Sequence, residues 1–331
     1  MINVGINGFG RIGRCITRLI FNNFNNEINL IHINSRGMTP EYMAYLFQYD
    51  TAHKKYSLPV SHTDTHLIIN NNSILTTNYS NDTDILDFQW SNIDIVFECT
   101  GVQNNYHGGE NHIKRGAKKV IITAPTDDVP MFIIGTNETE YKNQSIISAS
   151  SCTTNCLAPI IKIIHEKYPI EKALMTTIHA FTNSQNLVDS TSHKDWRSGR
   201  AGAHNIIPSS TGATSAIGNI IPSLKGKITG SAIRVPTITG SLVDVSIQFK
   251  NPITLQHLFD TINEQNKKDI LKTTKKPIVS SDVIGNICCS IVDEKACIQL
   301  DHTFLKLCIW YDNEIGYSYR TLLLAKYISQ N

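Results

Sequence analysis

The sequence is poor in several features that would place it in a special class of protein. Its 331 residues include 30 basic and 28 acidic side chains, and these are interspersed, so there is neither a basic stripe nor an acidic block. We therefore expect no nucleic acid as a partner. No apolar run is long enough to span a bilayer, and no signal peptide precedes the first predicted strand. These absences predict a cytoplasmic protein without a membrane partner.

Cysteine occurs eight times but lacks the spacing of a disulfide framework. Cys152 and Cys156 lie four residues apart on a predicted helix, which is poor spacing for zinc. We therefore expect reduced thiols and no metal. The composition, with 41% hydrophobic and 18% charged residues, is typical of a globular protein, and the length of the chain predicts two domains.

A polar stretch at residues 150–156 separates two apolar segments. Residues 145–149 predict a strand and residues 157–168 predict a helix, which puts Cys152 at the helix start. Unpaired N–H groups and about half a positive charge at a helix N-terminus favour ionisation of a thiol placed there. Cys152 is therefore a candidate nucleophile. The alternative is a small buried apolar residue, which is our interpretation of Cys156.

The N-terminus carries a glycine pattern between a predicted strand at residues 2–6 and a predicted helix at residues 14–22. Gly8, Gly10 and Gly13 form G-x-G-x-x-G. The first glycine permits a tight turn, the second lets backbone N–H groups approach a pyrophosphate, and the third lets helix and strand pack closely. This context predicts a dinucleotide site, and the alternative is a tight turn without a ligand.

The carboxylate that normally reads the cofactor ribose is missing from this sequence. An NAD site has Asp or Glu about 20 residues after the glycine pattern, at the end of the second strand. Here the predicted strand at residues 28–33 is followed by Asn34, Ser35 and Arg36. A hydroxyl and a guanidinium suit a phosphomonoester, so we predict NADP as well as NAD. The alternative is a solvated loop arginine beside a tolerated substitution.

The rest of the first half alternates between predicted strands and helices, which indicates a parallel sheet with a ligand at the carboxyl ends of the strands. Thr100 and Gly101 follow one of these strands and Thr123 ends another, where the adenine and ribose would pass. The predicted elements are a helix at 40–48, a hairpin of 67–69 with 73–75, and strands at 93–99, 119–123 and 131–135.

The second half contains a candidate base and candidate phosphate ligands. His179 ends an apolar strand predicted at residues 174–179 and is a plausible partner for Cys152, although a lone histidine is also common as a structural group. Arg200, the turn at residues 207–212, and Arg234 in a strand at residues 232–235 bring arginines, hydroxyls and glycine N–H groups. These are the groups that phosphate binding needs.

Four long segments then resemble one enzyme family. They are residues 7–14, 151–159, 205–213 and 310–317, and they occur in the family's order. On these segments the chain resembles the phosphorylating glyceraldehyde-3-phosphate dehydrogenases over essentially its whole length.

The resemblance implies an α/β fold with two domains. A Rossmann-type dinucleotide-binding domain would span residues 1–151 and be completed by a C-terminal helix at 316–331. Residues 152–315 would form an α+β catalytic domain with a mixed, largely antiparallel sheet. The family is usually a homotetramer, in which a loop at about residues 183–203, including Thr191, lies beside the cofactor of a neighbouring subunit.

The resemblance also implies the reaction, which is reversible oxidative phosphorylation of glyceraldehyde 3-phosphate to 1,3-bisphosphoglycerate. The Cys152 thiolate would attack the aldehyde to form a hemithioacetal, and His179 would take its proton as hydride leaves for the nicotinamide. Inorganic phosphate would then attack the resulting thioester. Oxidation in this direction serves glycolysis, and the reverse serves gluconeogenesis.

Further roles come from the resemblance alone. Inorganic phosphate would be held at Ser151, Thr153, Thr211 and Gly212, and the substrate phosphate at Thr182 and Arg234, with Arg200 nearby. Asn313 would hold the nicotinamide carboxamide, while Ile12 and Tyr317 would fix the ring face. Arg11 belongs to the same cofactor set through the glycine pattern.

Two departures from the family pattern bear on the cofactor. Many NAD-using members have Asp at the position of Ser35, and many have Pro where residues 190–192 stand here. Both changes favour a 2′-phosphate and are typical of an enzyme that works in a reductive, biosynthetic direction. Two competing functions are an erythrose-4-phosphate dehydrogenase, which releases its thioester to water, and a non-catalytic binding protein that keeps the fold.

Overall fold

A computed structural model describes residues 1–80, 88–192, 195–265 and 270–331. The chain divides into two compact units. The first contains residues 1–132, 137–150 and 321–331, and the second contains residues 133–136 and 151–320. Within the described residues, no helix combines the length and the apolar character that a membrane crossing requires.

The first unit is a sheet of eight strands with three helices between them. Its parallel strands end at one edge, so side chains that follow them gather there. Its elements are β1 Ile2–Asn7, α1 Arg11–Asn23, β2 Ile28–Asn34, α2 Pro40–Gln48, β3 Val60–His62, β4 His66–Ile69, β5 Asn72–Thr77, β6 Ile95–Glu98, α3 Tyr106–Lys114, β7 Lys119–Ile122 and β8 Ile146–Ser148.

The strand order in this sheet is β3-β4-β5-β2-β1-β6-β7-β8. The β2-β5, β1-β2, β1-β6, β6-β7 and β7-β8 pairs are parallel, whereas β3-β4-β5 is an antiparallel meander. Val4, Ile6, Ile33, Val96 and Ile121 have no exposed surface. These strands are apolar runs because both faces of a parallel sheet are covered. The predicted dinucleotide-binding architecture is confirmed.

Several predicted boundaries need correction. The strand predicted at 131–135 does not form: after an isolated bridge at Met131, the chain turns with Thr136 N–H donating to the Ile133 carbonyl, and Gly135 has a φ of 82°. The apolar run at residues 131–135 therefore forms a turn and not a strand. The first helix begins at Arg11 rather than at residue 14, so Ile12 and Gly13 lie in its first turn. The short strand β3 was not predicted.

Arg11 lies at the start of α1 and makes a two-point ion pair with Asp50, which follows α2. The distances are 2.5 Å from Nη1 to Oδ2 and 3.2 Å from Nη2 to Oδ1. Burial acts to raise the pKa of Asp50, but the Arg11 guanidinium and the His53 N–H outweigh it and hold the pKa at about 2. Arg11 is therefore occupied by a carboxylate, and its place in the cofactor set stays a prediction.

We expect Asp50→Asn to lower the free energy of unfolding by about 2 kcal/mol at pH 7. Since the folded-state pKa lies below the unfolded value of 3.8, this contribution is complete above that value and is lost as the pH falls through about 2. Urea unfolding of wild type and variant should therefore show a difference at pH 3 that is roughly half of the difference at pH 7. A difference independent of pH would contradict the assigned ion pair.

The second unit contains the other sheet, and the last helix runs from it into the C-terminal residues of the first. The elements are α4 Cys152–Lys167, β9 Ile170–Ala180, β10 Ile207–Ser209, α5 Ala213–Ile220, β11 Ile228–Val235, β12 Ser241–Phe249, α6 Leu255–Glu264, β13 Lys272–Thr274, β14 Ile291–Asp293, β15 Ile298–Gln299, β16 Phe304–Tyr311 and α7 Ile315–Gln330.

The order of this sheet is β10-β11-β9-β12-β16-β14-β13, with β15 paired to β16. The β9-β11 and β13-β14 pairs are parallel and the remaining pairs are antiparallel, which confirms the mixed, largely antiparallel sheet. Buried and half-buried residues alternate along β12, as expected for a sheet with one face on a core. Helix α4 packs on β9, β12 and β16, which brings the start of α4 near the end of β9.

Candidate active site

Cys152 is the first residue of α4, as predicted. Ser151 caps the helix, its Oγ accepting the Thr154 N–H at 3.0 Å. Ser150, two residues before the thiol, is fully buried in the left-handed region with a φ of 57°. A non-glycine residue in this region costs energy and persists only where the surroundings hold it. The turn therefore presents Cys152 in one fixed orientation.

His179, near the end of β9, is the partner of Cys152, as predicted. Its Nε2 lies 3.3 Å from the Cys152 Sγ. The imidazole is buried, and its Nδ1 lies 2.7 Å from the Ala180 carbonyl oxygen and 2.7 Å from Nη1 of Arg234. A candidate nucleophile, a candidate base and a polar group beside that base are thus in contact in one unit, an arrangement that could activate a nucleophile.

The electrostatics of the pair differ from the prediction for the thiol. Burial raises the pKa of Cys152, although the Arg234 guanidinium and hydrogen bonds from residue 153 act against it. The N–H groups at the helix start act to lower the pKa, as expected, but the net shift is upward because loss of solvent outweighs them. Burial, and then Arg234, lower the pKa of His179 to about 3, so its imidazole is neutral at neutral pH.

Tyr311 contacts residues on both sides of the candidate pair and was not predicted. It is fully buried on β16, and its hydroxyl lies 2.9 Å from Thr153 Oγ1 and 2.9 Å from Thr177 Oγ1. Its ring meets the His179 ring edge-on, with 6.0 Å between centroids. Tyr311 lies inside segment 310–317, one of the four that resemble the enzyme family. A single sequence, however, contains no signal for its contacts with Thr153 and Thr177, which are far away in the chain.

The predicted phosphate residues all belong to the second unit. They differ from one another in what they contact. Arg234 reaches the Cys152 and His179 pair, and Thr153 joins it through Tyr311. Thr182 Oγ1 contacts Ser184 Oγ at 2.9 Å, Thr211 Oγ1 accepts the Ala213 N–H at 3.2 Å, and Gly212 caps α5. Arg200 instead pairs with the exposed Asp189 at 2.8 Å. The assignments of these residues to phosphates stay predictions.

The glycine pattern forms one wall of a cleft in the first unit. A Cβ on Gly13 would lie 2.2 Å from the Gly8 carbonyl oxygen, so α1 and the turn pack as closely as predicted. Gly8 has a φ of 97°, which a side chain would strain. A Cβ on Gly10 would have no atom within 4 Å, so this glycine faces open space. These residues fit a dinucleotide whose phosphates approach the backbone.

The cleft has a volume of about 760 Å³, which falls in the range of ligand sites. None of the described residues that line it is acidic. Ser35 is buried and its Oγ accepts the Phe9 N–H at 3.2 Å, while Arg36 is exposed at the rim. Of the predicted cofactor residues, those lining the cleft are Gly8, Gly10, Ser35, Arg36 and Thr100.

A buried carboxylate at the end of β6 organises the base of this cleft. Glu98 accepts hydrogen bonds from Asn7 Nδ2 at 2.6 Å, from His112 Nε2 at 2.8 Å, and from the N–H and hydroxyl of Thr100. Trp90 Nε1–H donates to His112 Nδ1 at 3.0 Å, which leaves the imidazole proton on Nε2 for Glu98. Glu98 therefore fixes Thr100. It was not predicted, because an acidic residue within an apolar strand carries no signal of its partners.

Asn313 presents a fixed amide in the second unit. Its Oδ1 accepts from Gly240 N–H at 3.1 Å, Ser241 Oγ at 2.9 Å and Thr239 Oγ1 at 3.3 Å. Three donors around one oxygen fix which way the amide faces. The Nδ2 group then remains as a donor, which suits the carbonyl of a carboxamide.

Comparison with known proteins agrees with this geometry. Residues 2–106 match the family model described as the NAD binding domain of glyceraldehyde 3-phosphate dehydrogenase, and residues 151–313 match the model of its C-terminal domain.

Full-length relatives are similar over nearly the whole chain. The chain is 45% identical to glyceraldehyde-3-phosphate dehydrogenase of Ogataea parapolymorpha, with 99% of this chain and 98% of that protein aligned. It is 43% identical to glyceraldehyde-3-phosphate dehydrogenase 2 of Kluyveromyces marxianus and 44% identical to glyceraldehyde-3-phosphate dehydrogenase 3 of Saccharomyces cerevisiae, both aligned over their full length. These matches support the phosphorylating dehydrogenase, and they support neither an erythrose-4-phosphate dehydrogenase nor a non-catalytic binding protein.

Proposed function

Because the chain belongs to the glyceraldehyde 3-phosphate dehydrogenase family, we propose that Cys152 and His179 carry out the oxidation and phosphorylation of glyceraldehyde 3-phosphate. The enzyme is an NAD(P)-dependent phosphorylating dehydrogenase. The observation that supports the two catalytic assignments is the contact of 3.3 Å between Cys152 Sγ and His179 Nε2.

The first step is addition of the Cys152 sulfur to the aldehyde carbon; the thiol proton passes to the carbonyl oxygen, and a hemithioacetal forms. His179 Nε2 takes the hydroxyl proton as the C–H electron pair leaves, and a thioester forms on the sulfur. When bound, the oxidised dinucleotide accepts that hydride. An oxygen of inorganic phosphate then adds to the thioester carbonyl and expels the thiolate, so the product is an acyl phosphate and Cys152 is regenerated.

The other assignments position reactants. Ser151, Thr153, Thr211 and Gly212 bind the attacking phosphate, and Thr182 and Arg234 bind the phosphate of the substrate. The unpartnered, buried Nε of Arg234 supports this role, since its N–H has no acceptor among the described residues. The amide of Asn313 binds the nicotinamide carboxamide, and Ile12 and Tyr317 face its ring.

The test of the proposed function is turnover with and without phosphate. With glyceraldehyde 3-phosphate, phosphate and dinucleotide, reduced nicotinamide should form continuously and an acyl phosphate should be trapped by hydroxylamine. Without phosphate, reduction should stop after about one equivalent per active site, because the thioester accumulates. Continuous turnover without phosphate would instead indicate hydrolysis, as in the erythrose-4-phosphate dehydrogenases, and erythrose 4-phosphate is the control aldehyde.

The cofactor preference is a separate proposal: the enzyme uses NADP(H) at least as well as NAD(H). The Ser35 Oγ already accepts the Phe9 N–H, so its own hydroxyl hydrogen is left to donate to a 2′-phosphate. Arg36 is exposed at the same cleft, whose described lining contains no carboxylate to repel a dianion. Thr191, exposed in the loop at residues 183–203, would add a hydroxyl from a neighbouring subunit.

We expect Ser35→Asp to reduce kcat/KM with NADP much more than with NAD, because the new carboxylate repels the 2′-phosphate at short range. A charged hydrogen bond contributes about 1.5–3 kcal/mol, so Arg36→Met should lower the NADP value by roughly 10- to 150-fold. Ser61→Asp adds the same charge on exposed β3 and is the control. If wild type prefers NAD by more than about tenfold, the proposal is wrong and Ser35 is a neutral substitution.

We also propose a homotetramer. Large apolar side chains are exposed on the second unit, and burial between subunits would remove them from water. Light scattering with size exclusion should give four times the monomer mass of 37.0 kDa, whereas a monomer would contradict the proposal. The cytoplasmic location stays a prediction. The exposed residues are Leu174, Leu187, Val188, Trp196 and Ile206.

A further inference from the structure

The cleft in the first unit is lined by several side-chain amides, and they differ in how their hydrogen bonds are used. The described ones are Asn7, Asn34, Gln103, Asn105 and Asn111. Asn34 Nδ2 donates to Asn7 Oδ1 at 2.8 Å, and Asn34 Oδ1 accepts the Tyr79 N–H at 2.9 Å. Asn7 Nδ2 donates to Glu98 at 2.6 Å, and Asn105 caps α3. These three amides therefore belong to the protein's own hydrogen-bond network.

The other two amides, those of Gln103 and Asn111, make no hydrogen bond to any residue that the structure describes. Asn111 is only 5% exposed, and the Oε1 atom of Gln103 is buried without a partner. An amide that has lost water and gained no partner is unfavourable, and such groups in folded proteins are usually satisfied by a ligand or by ordered water. The cleft therefore contains donors and acceptors that the protein itself does not use.

Gln103 and Asn111 lie close together at the α3 side of the cleft. A Cβ on Gly108, in the first turn of α3, would lie 2.7 Å from the Cβ of Gln103, so the segment that follows β6 packs directly on this helix. Asn111 comes three residues after Gly108 and so lies on the same face of α3. We call these two side chains the amide wall.

The amide wall lies in the same cleft as the residues predicted to bind the adenosine half of the cofactor. Gly8 and Gly10 follow β1 and would face the phosphates, while Ser35 follows β2 and would face the ribose. The wall lines this cleft from the end of β6, which pairs with β1 on the side opposite to β2. It also comes directly after Thr100, where the sequence places the adenine. A base attached to that ribose is therefore within reach of the wall.

The chemistry of an amide suits one edge of adenine. A side-chain amide has an acceptor oxygen and a donor NH₂ group, and the N6/N7 edge of adenine has one donor and one acceptor in matching positions. Hypoxanthine has an oxygen at position 6, so the same edge has two acceptors, and an amide cannot match both in either orientation. Val102, an exposed apolar side chain in the same lining, offers a surface for the face of the ring.

We propose that the amide wall pairs with the N6/N7 edge of the cofactor's adenine and so selects adenine over hypoxanthine. The proposal rests on the proposed function, which puts the adenosine half of the dinucleotide in this cleft. Selection of the base is separate from the choice between NAD and NADP, because that choice depends on Ser35 and Arg36 at the ribose. Gln103 and Asn111 are thus additional specificity-determining residues of the enzyme.

The experiment is calorimetric titration of the full-length enzyme with NAD and with nicotinamide hypoxanthine dinucleotide. The two ligands differ only in the base, so the riboses, phosphates and nicotinamide contribute equally. Wild type should bind NAD roughly 5- to 150-fold more tightly, the range for a two-bond amide pair that meets the wrong base. The 7-deazaadenine analogue of NAD lacks only the N7 acceptor and should bind roughly 2- to 12-fold more weakly than NAD. Equal binding of NAD and either analogue overturns the proposal.

Two variants test the amide wall independently of each other. Asn111→Ala removes the buried amide and places a favourable residue in the helix, and Gln103→Met removes the other amide while keeping a chain of similar shape. In each variant NAD should bind more weakly and the hypoxanthine dinucleotide should change little, so the preference shrinks. Asn23→Ala removes an exposed amide at the end of α1 and should keep the wild-type preference. An undiminished preference in both wall variants overturns the proposal.

The outcome for the amide wall can be distinguished from the outcome for the proposed function. Binding is measured without an aldehyde, so it does not depend on turnover. An enzyme that binds both dinucleotides equally, yet forms an acyl phosphate with NAD, keeps its proposed function and loses only the assignment of the wall. An enzyme that selects adenine through the wall, yet shows no turnover that depends on phosphate, would keep the wall and contradict the proposed function.

Discussion

We expect the Cys152→Ser variant to lose dehydrogenase turnover by a factor on the order of 10⁴–10⁶. A serine hydroxyl ionises far less readily than a thiol, and at this half-buried position even the thiol has a raised pKa because of partial loss of solvent. His179 Nε2 would also have to take a proton from a much weaker acid. Without the thioester there is no acyl group for phosphate to attack.

Steady-state turnover and mass spectrometry of the acid-quenched enzyme measure this loss. Wild type should carry one acyl group on Cys152 in the absence of phosphate, and the variant should carry none. Cys156→Ser is the matched control, because Cys156 lies one helical turn further on, is fully buried and faces the Ile309 carbonyl at 4.0 Å. An acyl group on another cysteine, or substantial turnover of Cys152→Ser, would contradict the assignment.

The second large effect is expected for His179→Asn, which should lower kcat by roughly 10²–10⁴, the range of general acid–base catalysis. Asparagine can keep a hydrogen bond to the sulfur but cannot accept the hemithioacetal proton. Since the pKa of His179 is about 3 in the resting geometry, protonation of the free enzyme should not impair the base between pH 5 and pH 8.

Single-turnover reduction of the dinucleotide as a function of pH measures this effect. The wild-type rate should exceed the variant rate throughout, and added imidazole should restore part of the lost activity. The Tyr311→Phe variant is a useful comparison, because it keeps the base and removes only the hydroxyl that holds Thr153 and Thr177. Equal rates for wild type and His179→Asn would make His179 a structural residue.

Local sequence patterns predicted much of the architecture. The glycine pattern between β1 and α1, the polar stretch before α4 and the apolar strand ending near His179 were all predicted from residues close together in the chain. The bounds of α2 agree with the prediction, because its cap, Thr39, and its first residue, Pro40, are strong local signals. The prediction failed at residues 131–135, where apolar composition does not distinguish a strand from a buried turn.

By itself, the sequence determined the fold class, the family, and Cys152 and His179 as candidate catalytic residues, since each depends on residue types within a few positions of one another. Only the tertiary structure decided the environment of the candidates: the burial that raises the pKa of Cys152, the contact of Arg234 with His179, and the support from Tyr311. These contacts join residues 55 to 158 positions apart. The register of β9 against β11 and the packing of α4 create them, and both depend on the folded core as a whole.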